Sequence, residues 1–159
     1  MNEFPVLDAL NQVAEFHRVF GHPIPSQPRI PDAERCALRI SLLREEFSEL
    51  EESIAAGDLV SVADALCDIQ YVLSGAVLEF GLGSVFRDLF DEVQRSNMSK
   101  SCSSREEAER TVSWYKKERG VDCYYVESDG HFPVYRSADR KTLKSIAYSP
   151  AELDRILVR

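Results

Sequence analysis

The sequence predicts an all-α fold with an antiparallel four-helix-bundle-type core, and three observations support that prediction. In the first, apolar residues recur at alternating steps of four and three, the spacing of a helix that packs in a bundle; they are Cys36, Ile40, Leu43, Phe47, Leu50 and Ile54. In the second, the segment 59–80 is apolar on nearly every side, which is typical of a buried helix. In the third, short connections join these segments, which favours antiparallel neighbours.

Capping residues place the helices of this core in order. A first helix is expected over 4–20, ending at Gly21, followed by a stiff connector that contains four prolines. Asp32 and Asp58 are suitable N-caps for the second and third helices. Ser84 is expected to cap the fourth.

The chain changes character after position 100, where an appendage is expected. A charged helix is predicted over 103–119, because Ser104 followed by Glu107 is a capping-box pattern. Aromatic and β-branched residues around Asp129-Gly130 predict a small hairpin, with Pro133 confining one strand to an edge. We therefore expect a helical core over 1–101, an inserted helix and strand over 102–127, and a hairpin and C-terminal tail over 128–159 that packs on the core.

The charge and the amino-acid composition limit the kinds of molecule that this protein is expected to bind. The formal net charge is −8 and the pI is about 4.9, which argues against broad electrostatic capture of nucleic acid. A polyanionic substrate would be repelled as well, unless a cation intervened. The four cysteines show no CxxC spacing, and no leader peptide or membrane-spanning run is apparent. We expect a cytoplasmic protein with no membrane partner.

Five acidic residues on two neighbouring helices are the strongest candidates for chemistry. At about 100° per residue, Glu45, Glu46 and Glu49 fit one sector of the second helix. Asp64 and Asp68 are one turn apart on the apolar third helix, where a buried carboxylate is costly unless it is paired or bound to metal. A solvated face explains the glutamates equally well, and the helix dipole explains Asp64, but neither explains Asp68. Such hard oxygen ligands suit Mg²⁺ or Mn²⁺.

These residues resemble a motif of the MazG and phosphoribosyl-ATP pyrophosphohydrolase superfamily, the all-α NTP pyrophosphatases. The superfamily pattern is EExxE on one helix and ExxD on the next, and here it reads Glu45-Glu46-Phe-Ser-Glu49, then Asp64-Ala65-Leu-Cys-Asp68. The segments 96–100 and 129–144 also resemble one branch of that superfamily. The glutamate of ExxD would fall at Ala65, so Asp64 is the expected substitute.

The resemblance implies a mechanism and a set of site residues. Glu46, Glu49, Asp64 and Asp68 would hold Mg²⁺, and Glu45 or Glu46 would activate a water that attacks the α-phosphorus. Several further residues are implied or expected to contact substrate. They are Lys100, Lys144 and Arg95 at the phosphates, Asn97 at phosphate or base, and Tyr71, which either bonds a ligand or fills the core.

The implied activity is hydrolysis of a nucleoside triphosphate, such as dUTP, dCTP or a non-standard nucleotide, to the monophosphate and pyrophosphate. Phosphoribosyl-ATP hydrolysis is the alternative within the superfamily, and a non-catalytic helical interaction module is the alternative outside it. The resemblance and the long apolar seam of the second helix both suggest a homodimer or a dimer of dimers.

Overall fold

The computed structural model describes residues 4–158, and that range is mostly helical with a small antiparallel sheet near the C-terminus. The chain divides into two compact units between Phe86 and Arg87. The elements are α1 (Ala9–Phe20), α2 (Ala33–Ala56), α3 (Leu59–Glu79), α4 (Phe86–Met98), α5 (Arg105–Arg119), β1 (Cys123–Tyr125), β2 (Val134–Arg136), β3 (Thr142–Leu143) and α6 (Asp154–Leu157).

The helix boundaries of the first unit follow the predicted caps with one exception. The Asp32 carboxylate accepts from the backbone N–H of Arg35 (2.8 Å), and Asp58 accepts from Val60 and Ser61, so both N-caps are confirmed. Gly21 ends α1 in the left-handed region, at φ 71°. The exception is the start of α1, which begins at Ala9, so the prediction of a helix from residue 4 was wrong at its N-terminal end.

A buried ion cluster joins the start of α2 to the end of α3. Glu79 is 1% exposed and accepts hydrogen bonds from both Arg35 and Arg39, which shows that the two helices run antiparallel. Arg39 fits because residue 75 is glycine, since a Cβ there would lie 2.8 Å from its Nη1 and 3.1 Å from His17 Nε2. Helix α3 therefore packs against both α1 and α2.

The expected four-helix bundle is not confirmed. The first unit holds the three helices α1 to α3, and α4 lies almost wholly in the second unit. Burial along α3 also differs from the prediction, because its fully buried residues are Ala65 and most of the stretch 74–79, while Leu59, Val60 and Leu66 are exposed. Half of the predicted α2 seam is exposed too; those residues are Ile40, Phe47 and Ile54.

Within residues 4–158, one helix, α3, is long and apolar enough to cross a membrane by length and composition. The core helix of a water-soluble protein passes the same test. Helix α3 carries Asp64 and Asp68 and packs against two helices of its own unit.

The second unit is organised around α5 and a three-stranded antiparallel sheet in the order β1-β2-β3. The hairpin turn is confirmed: Asp129 and Gly130 both have positive φ (48° and 75°), as a type I′ turn requires. Strand β3 was not predicted. Cys102, Ala108, Cys123 and Val134 form the buried core.

Local structure at the starts of α5 and α4 refines the predicted caps. Ser104 caps α5 by accepting from the N–H of Glu107 (3.2 Å), and the Glu107 side chain accepts from the N–H of Ser103 (3.0 Å), a capping box displaced by one residue. Ser84 lies in a turn two residues before α4, so its prediction as the N-cap was wrong.

Hydrogen bonds within the second unit hold the C-terminal tail. Ser145 donates a hydrogen bond to the buried Glu107, the N–H of Ser149 donates to Ser99 Oγ (3.0 Å), and the N–H of Glu152 donates to Glu92 (2.9 Å). The tail is thus held by α5 and by the end of α4.

The ion cluster at Glu79 leads to a stability prediction. Burial alone would raise the pKa of Glu79, but hydrogen bonds and charges from Arg39 and Arg35 outweigh it and hold the pKa below its ordinary value of 4.5. Glu79→Gln leaves two guanidinium groups facing a neutral amide, so we expect it to lower the free energy of unfolding by about 3–5 kcal/mol at pH 7. Urea denaturation measures this loss, and Glu52→Gln, an exposed carboxylate on α2, is the control.

The stability lost in Glu79→Gln should become smaller as the pH falls. A carboxyl group whose pKa is depressed by folding contributes stability above its unfolded pKa, and that contribution disappears as the pH falls through the folded pKa. The difference between wild type and Glu79→Gln should therefore shrink as the pH falls below about 4.5. A difference that stays constant from pH 7 to pH 3 would contradict the ion-pair account.

Candidate functional site

Glu46 is the electrostatic centre of the acidic group. It is half-buried on α2, and its pKa is raised above the ordinary value of 4.5. Burial is the largest cause, and the remaining causes are nearby negative charges, in falling order from Asp68, Glu49, Glu45 and Asp64. The helix packing therefore brings all five predicted carboxylates within electrostatic range of one another.

The two aspartates differ in how α3 presents them. Asp68 is half-buried and is the strongest of the neighbouring charges at Glu46, whereas Asp64 is exposed and the weakest. Ala65, at the place of the glutamate in the ExxD motif, is 3% exposed. Asp64 lies beside this packed position and adds its charge from the solvent side.

The carboxylates do not form a compact ligand cage. Among residues 4–158, no three His, Cys, Asp or Glu side chains are close enough together to make a ready metal-binding group. The donor chemistry nevertheless fits a hard divalent cation, since all five groups offer oxygen and a half-buried Glu46 is repelled by its neighbours.

Tyr71 lies one turn beyond Asp68 on α3 and borders an aromatic cavity of about 230 Å³. Its ring meets the edge of Phe16 (centroids 5.6 Å apart), and Leu42 and His22 line the same space. Tyr71 is 41% exposed, so it does not simply fill the core.

The cavity also contains a buried donor without a partner. Arg39 lines it, and its Nε has no hydrogen-bond acceptor among the described residues, although its Nη2 donates to Glu79. Burial lowers the pKa of His17, and its Nδ1 donates to the Pro23 carbonyl oxygen (3.2 Å). Sequence reasoning missed Phe16, Arg39 and His22 as cavity residues, because their convergence depends on how α1 and α2 lie against α3.

In the second unit, several predicted substrate contacts lie near one another. Lys100 Nζ donates to Asn97 Oδ1 (2.6 Å), and Lys144 Nζ lies 3.9 Å from the centre of the Tyr148 ring. The pKa of Tyr148 is lowered, first by a hydrogen bond from Ser96 and then by the charges of Lys144 and Lys100. Two of the three predicted cations thus act on one phenol.

Arg95, in contrast, is held in contacts that stabilise the fold. Its guanidinium binds Glu92 (2.7 and 2.8 Å) and donates to the Pro150 carbonyl oxygen (2.9 Å). The pKa of Glu92 falls to about 2, chiefly because of the hydrogen bonds from Arg95 and then because of the backbone N–H of Glu152. This ion pair fastens the C-terminal tail to α4.

Comparison with known proteins places the acidic helices inside a recognised family region. The family model described as phosphoribosyl-ATP pyrophosphohydrolase matches residues 13–97, more than half of the chain. The chain is also similar to an uncharacterized protein of Acanthamoeba polyphaga mimivirus, with 32% identity over 92 residues. That stretch covers 55% of this chain and 37% of the viral protein.

Proposed function

Because this chain belongs to the phosphoribosyl-ATP pyrophosphohydrolase family, within the MazG-like all-α NTP pyrophosphatase superfamily, we propose that it hydrolyses a nucleoside triphosphate to the monophosphate and pyrophosphate. The family is one of pyrophosphohydrolases that act on phosphoric anhydrides of nucleotide-like substrates. The observation that most supports the proposal for this chain is the gathering of four other carboxylates on α2 and α3 around the half-buried Glu46.

The proposed site needs a cation for a physical reason. A triphosphate approaching Glu45, Glu46, Glu49, Asp64 and Asp68 meets charge of its own sign, and the half-buried position of Glu46 weakens solvent screening of that charge. Glu46, Glu49, Asp68 and Asp64 are the residues proposed to hold Mg²⁺, or Mn²⁺ in its place. When bound, such an ion neutralises phosphate charge and lowers the pKa of a coordinated water.

The protein residues supply the remaining chemistry. Glu45, which is exposed beside the half-buried Glu46, is proposed to accept the proton of the attacking water, with Glu46 as the alternative base. Lys100 and Lys144 are proposed to bind substrate phosphates and Asn97 a phosphate or the base, and Tyr71 is proposed to contact the substrate. The same role is proposed for Arg95, whose guanidinium already binds Glu92.

Phosphoribosyl-ATP is the second candidate substrate, and the description of the matching family favours it. Both candidates break an anhydride bond next to the α-phosphorus, so the same carboxylates would serve either substrate. The substrate panel below separates them.

The hydrolytic prediction is tested with purified protein, Mg²⁺, and a panel of NTPs, dNTPs and phosphoribosyl-ATP. We expect pyrophosphate and monophosphate in equal amounts and no orthophosphate from at least one of these compounds. Asp68→Asn should lower kcat by about 10²–10³-fold, because Asp68 is proposed to hold the cation that neutralises charge on the reacting phosphates. Glu52→Gln, which alters an exposed carboxylate on the same pair of helices, should keep full activity and the same helical circular dichroism.

The panel also identifies the outcomes that contradict the proposal. Release of orthophosphate alone would indicate a different bond cleavage. Absence of any product from every compound would leave the non-catalytic helical module as the better account of the acidic residues.

We propose a homodimer, or a dimer of dimers, to cover the apolar surface that the first unit leaves open. Phe47 and Ile54 on α2 and Leu59 and Val60 on α3 are 53–80% exposed, which is an unusual concentration of large apolar groups for a monomer surface. The full chain is thus expected to bury these residues against a second copy.

Light scattering tests the oligomer directly. Phe47→Glu should shift the protein from dimer or tetramer toward monomer at micromolar concentration, because a charge buried at an interface is costly. The control is Val126→Glu, which places the same charge at an exposed position in the second unit and should not change the mass. A wild-type protein that is monomeric at this concentration would contradict the proposal.

A further inference from the structure

The second unit contains a cleft outside the family-matched residues 13–97. It has a volume of about 530 Å³, within the usual range for small-molecule sites, and lies between α5 and the C-terminal tail. Its lining residues are Trp114, Tyr115, Arg119, Lys144, Ser145, Ile146 and Tyr148.

Packing of the second unit does not account for Trp114. Ala108, Thr111 and Tyr115 face the core of this unit at helical spacing, and Val112 packs against it as well. Trp114 is absent from that cluster and is 39% exposed, with one edge against the Tyr115 ring at a centroid distance of 4.9 Å. A large aromatic ring on a strongly charged helix is thus left facing the cleft.

The cleft is cationic in an acidic protein. Arg119 lies over the Trp114 ring, 5.4 Å from its centre, and Lys144 lies over the Tyr148 ring at 3.9 Å. Within residues 4–158, neither cation forms an ion pair with a carboxylate, and none of the cleft residues named above is acidic. Both charges are therefore available to an anion that enters the cleft.

We propose that this cleft binds a nucleoside phosphate, with the base stacked on Trp114 and the phosphate bound by Arg119 and Lys144. An inorganic anion would use the two cations and leave the Trp114 ring without a role, whereas a neutral aromatic ligand would leave the cations without one. A single nucleotide uses both, because base–aromatic stacking and guanidinium–phosphate pairing are each favourable. The choice of a nucleotide as the ligand rests on the proposed function, whereas the charge and shape of the cleft do not. A nucleotide in the cleft would use Lys144, so Lys100 would then serve the substrate phosphates at the acidic residues without it.

A mononucleotide suits the cleft better than a nucleic-acid strand does. A strand would extend beyond the two cations onto a protein of net charge −8, where the phosphates of adjoining nucleotides would be repelled. The site would accept several bases, because stacking on an indole does not select among them strongly.

Trp114 is the only tryptophan of the chain, so intrinsic fluorescence reports on the cleft directly. The full-length protein is titrated in EDTA, which keeps divalent cations from the acidic residues of α2 and α3. The ligands are AMP, GMP, CMP, UMP, ATP, adenosine and inorganic pyrophosphate. We expect saturable quenching by the nucleotides and at least tenfold weaker binding of adenosine and of pyrophosphate by competition.

Matched variants test the assigned contacts. Arg119→Gln and Lys144→Gln should each weaken nucleotide binding about tenfold, the effect of losing one charge-assisted contact to phosphate. Arg105→Gln on α5 and Lys141→Gln in the tail remove the same charge outside the cleft and should keep the wild-type affinity. Calorimetry of Trp114→Ala, with circular dichroism to verify folding, should show the loss of nucleotide binding that fluorescence cannot report.

The results separate this inference from the hydrolytic proposal. Quenching without any hydrolysis would support the cleft and contradict the proposed enzyme. Hydrolysis without saturable quenching would overturn the cleft alone, as would equal effects of Arg119→Gln and Arg105→Gln, or pyrophosphate binding as tightly as AMP.

Discussion

The ion cluster of Glu79 with Arg35 and Arg39 fixes how α2 lies against α3, and the candidate site depends on that alignment. Glu79 and Arg39 are both buried, so a shift of one helix by a turn would leave a charge without its partner in the interior. Such a pair contributes little net stability compared with apolar packing, but it makes every other alignment costly. The main effect of the cluster is therefore to fix the register between α2 and α3.

The register carries over to the carboxylates farther along the same helices. Glu46 follows Arg35 by three helical turns on α2, and Asp68 precedes Glu79 by three turns on α3, so the antiparallel pairing brings them near each other. The result is a half-buried Glu46 whose ionised form is opposed by burial and by four like charges. An arrangement of this kind is unfavourable for a bare protein, and binding of a divalent cation would relieve it.

Local signals predicted the parts of the fold that depend on neighbouring residues. Asp32 and Asp58 cap their helices because a carboxylate placed before a helix accepts its first N–H groups, and Asp129-Gly130 forms the turn because both positions need positive φ. The spacing of Glu46 and Asp68 that resembles the family motif could also be recognised in the sequence. Caps and turns of this kind depend on a few neighbouring residues and not on how the helices pack.

Features that depend on tertiary packing could not be predicted from the sequence in this way. Arg39 binds the buried Glu79, which lies within the apolar segment 59–80, and the apolar pattern gives no sign of this ion pair. Periodicity also predicted a buried seam on α2, yet Phe47 and Ile54 remain exposed, since apolar spacing does not tell whether the covering surface is in the same chain or another. The short strand β3 has too few residues to leave a pattern.

The most direct test of the central claim is a titration of Mn²⁺ with free ion measured by electron paramagnetic resonance. The account predicts saturable binding to wild type that is lost or weakened at least tenfold in Glu46→Gln and Asp68→Asn, with Glu52→Gln unchanged. Mn²⁺ binding that is equal in all four proteins, or absent from wild type with and without a triphosphate, would contradict the claim that α2 and α3 form a divalent-cation site.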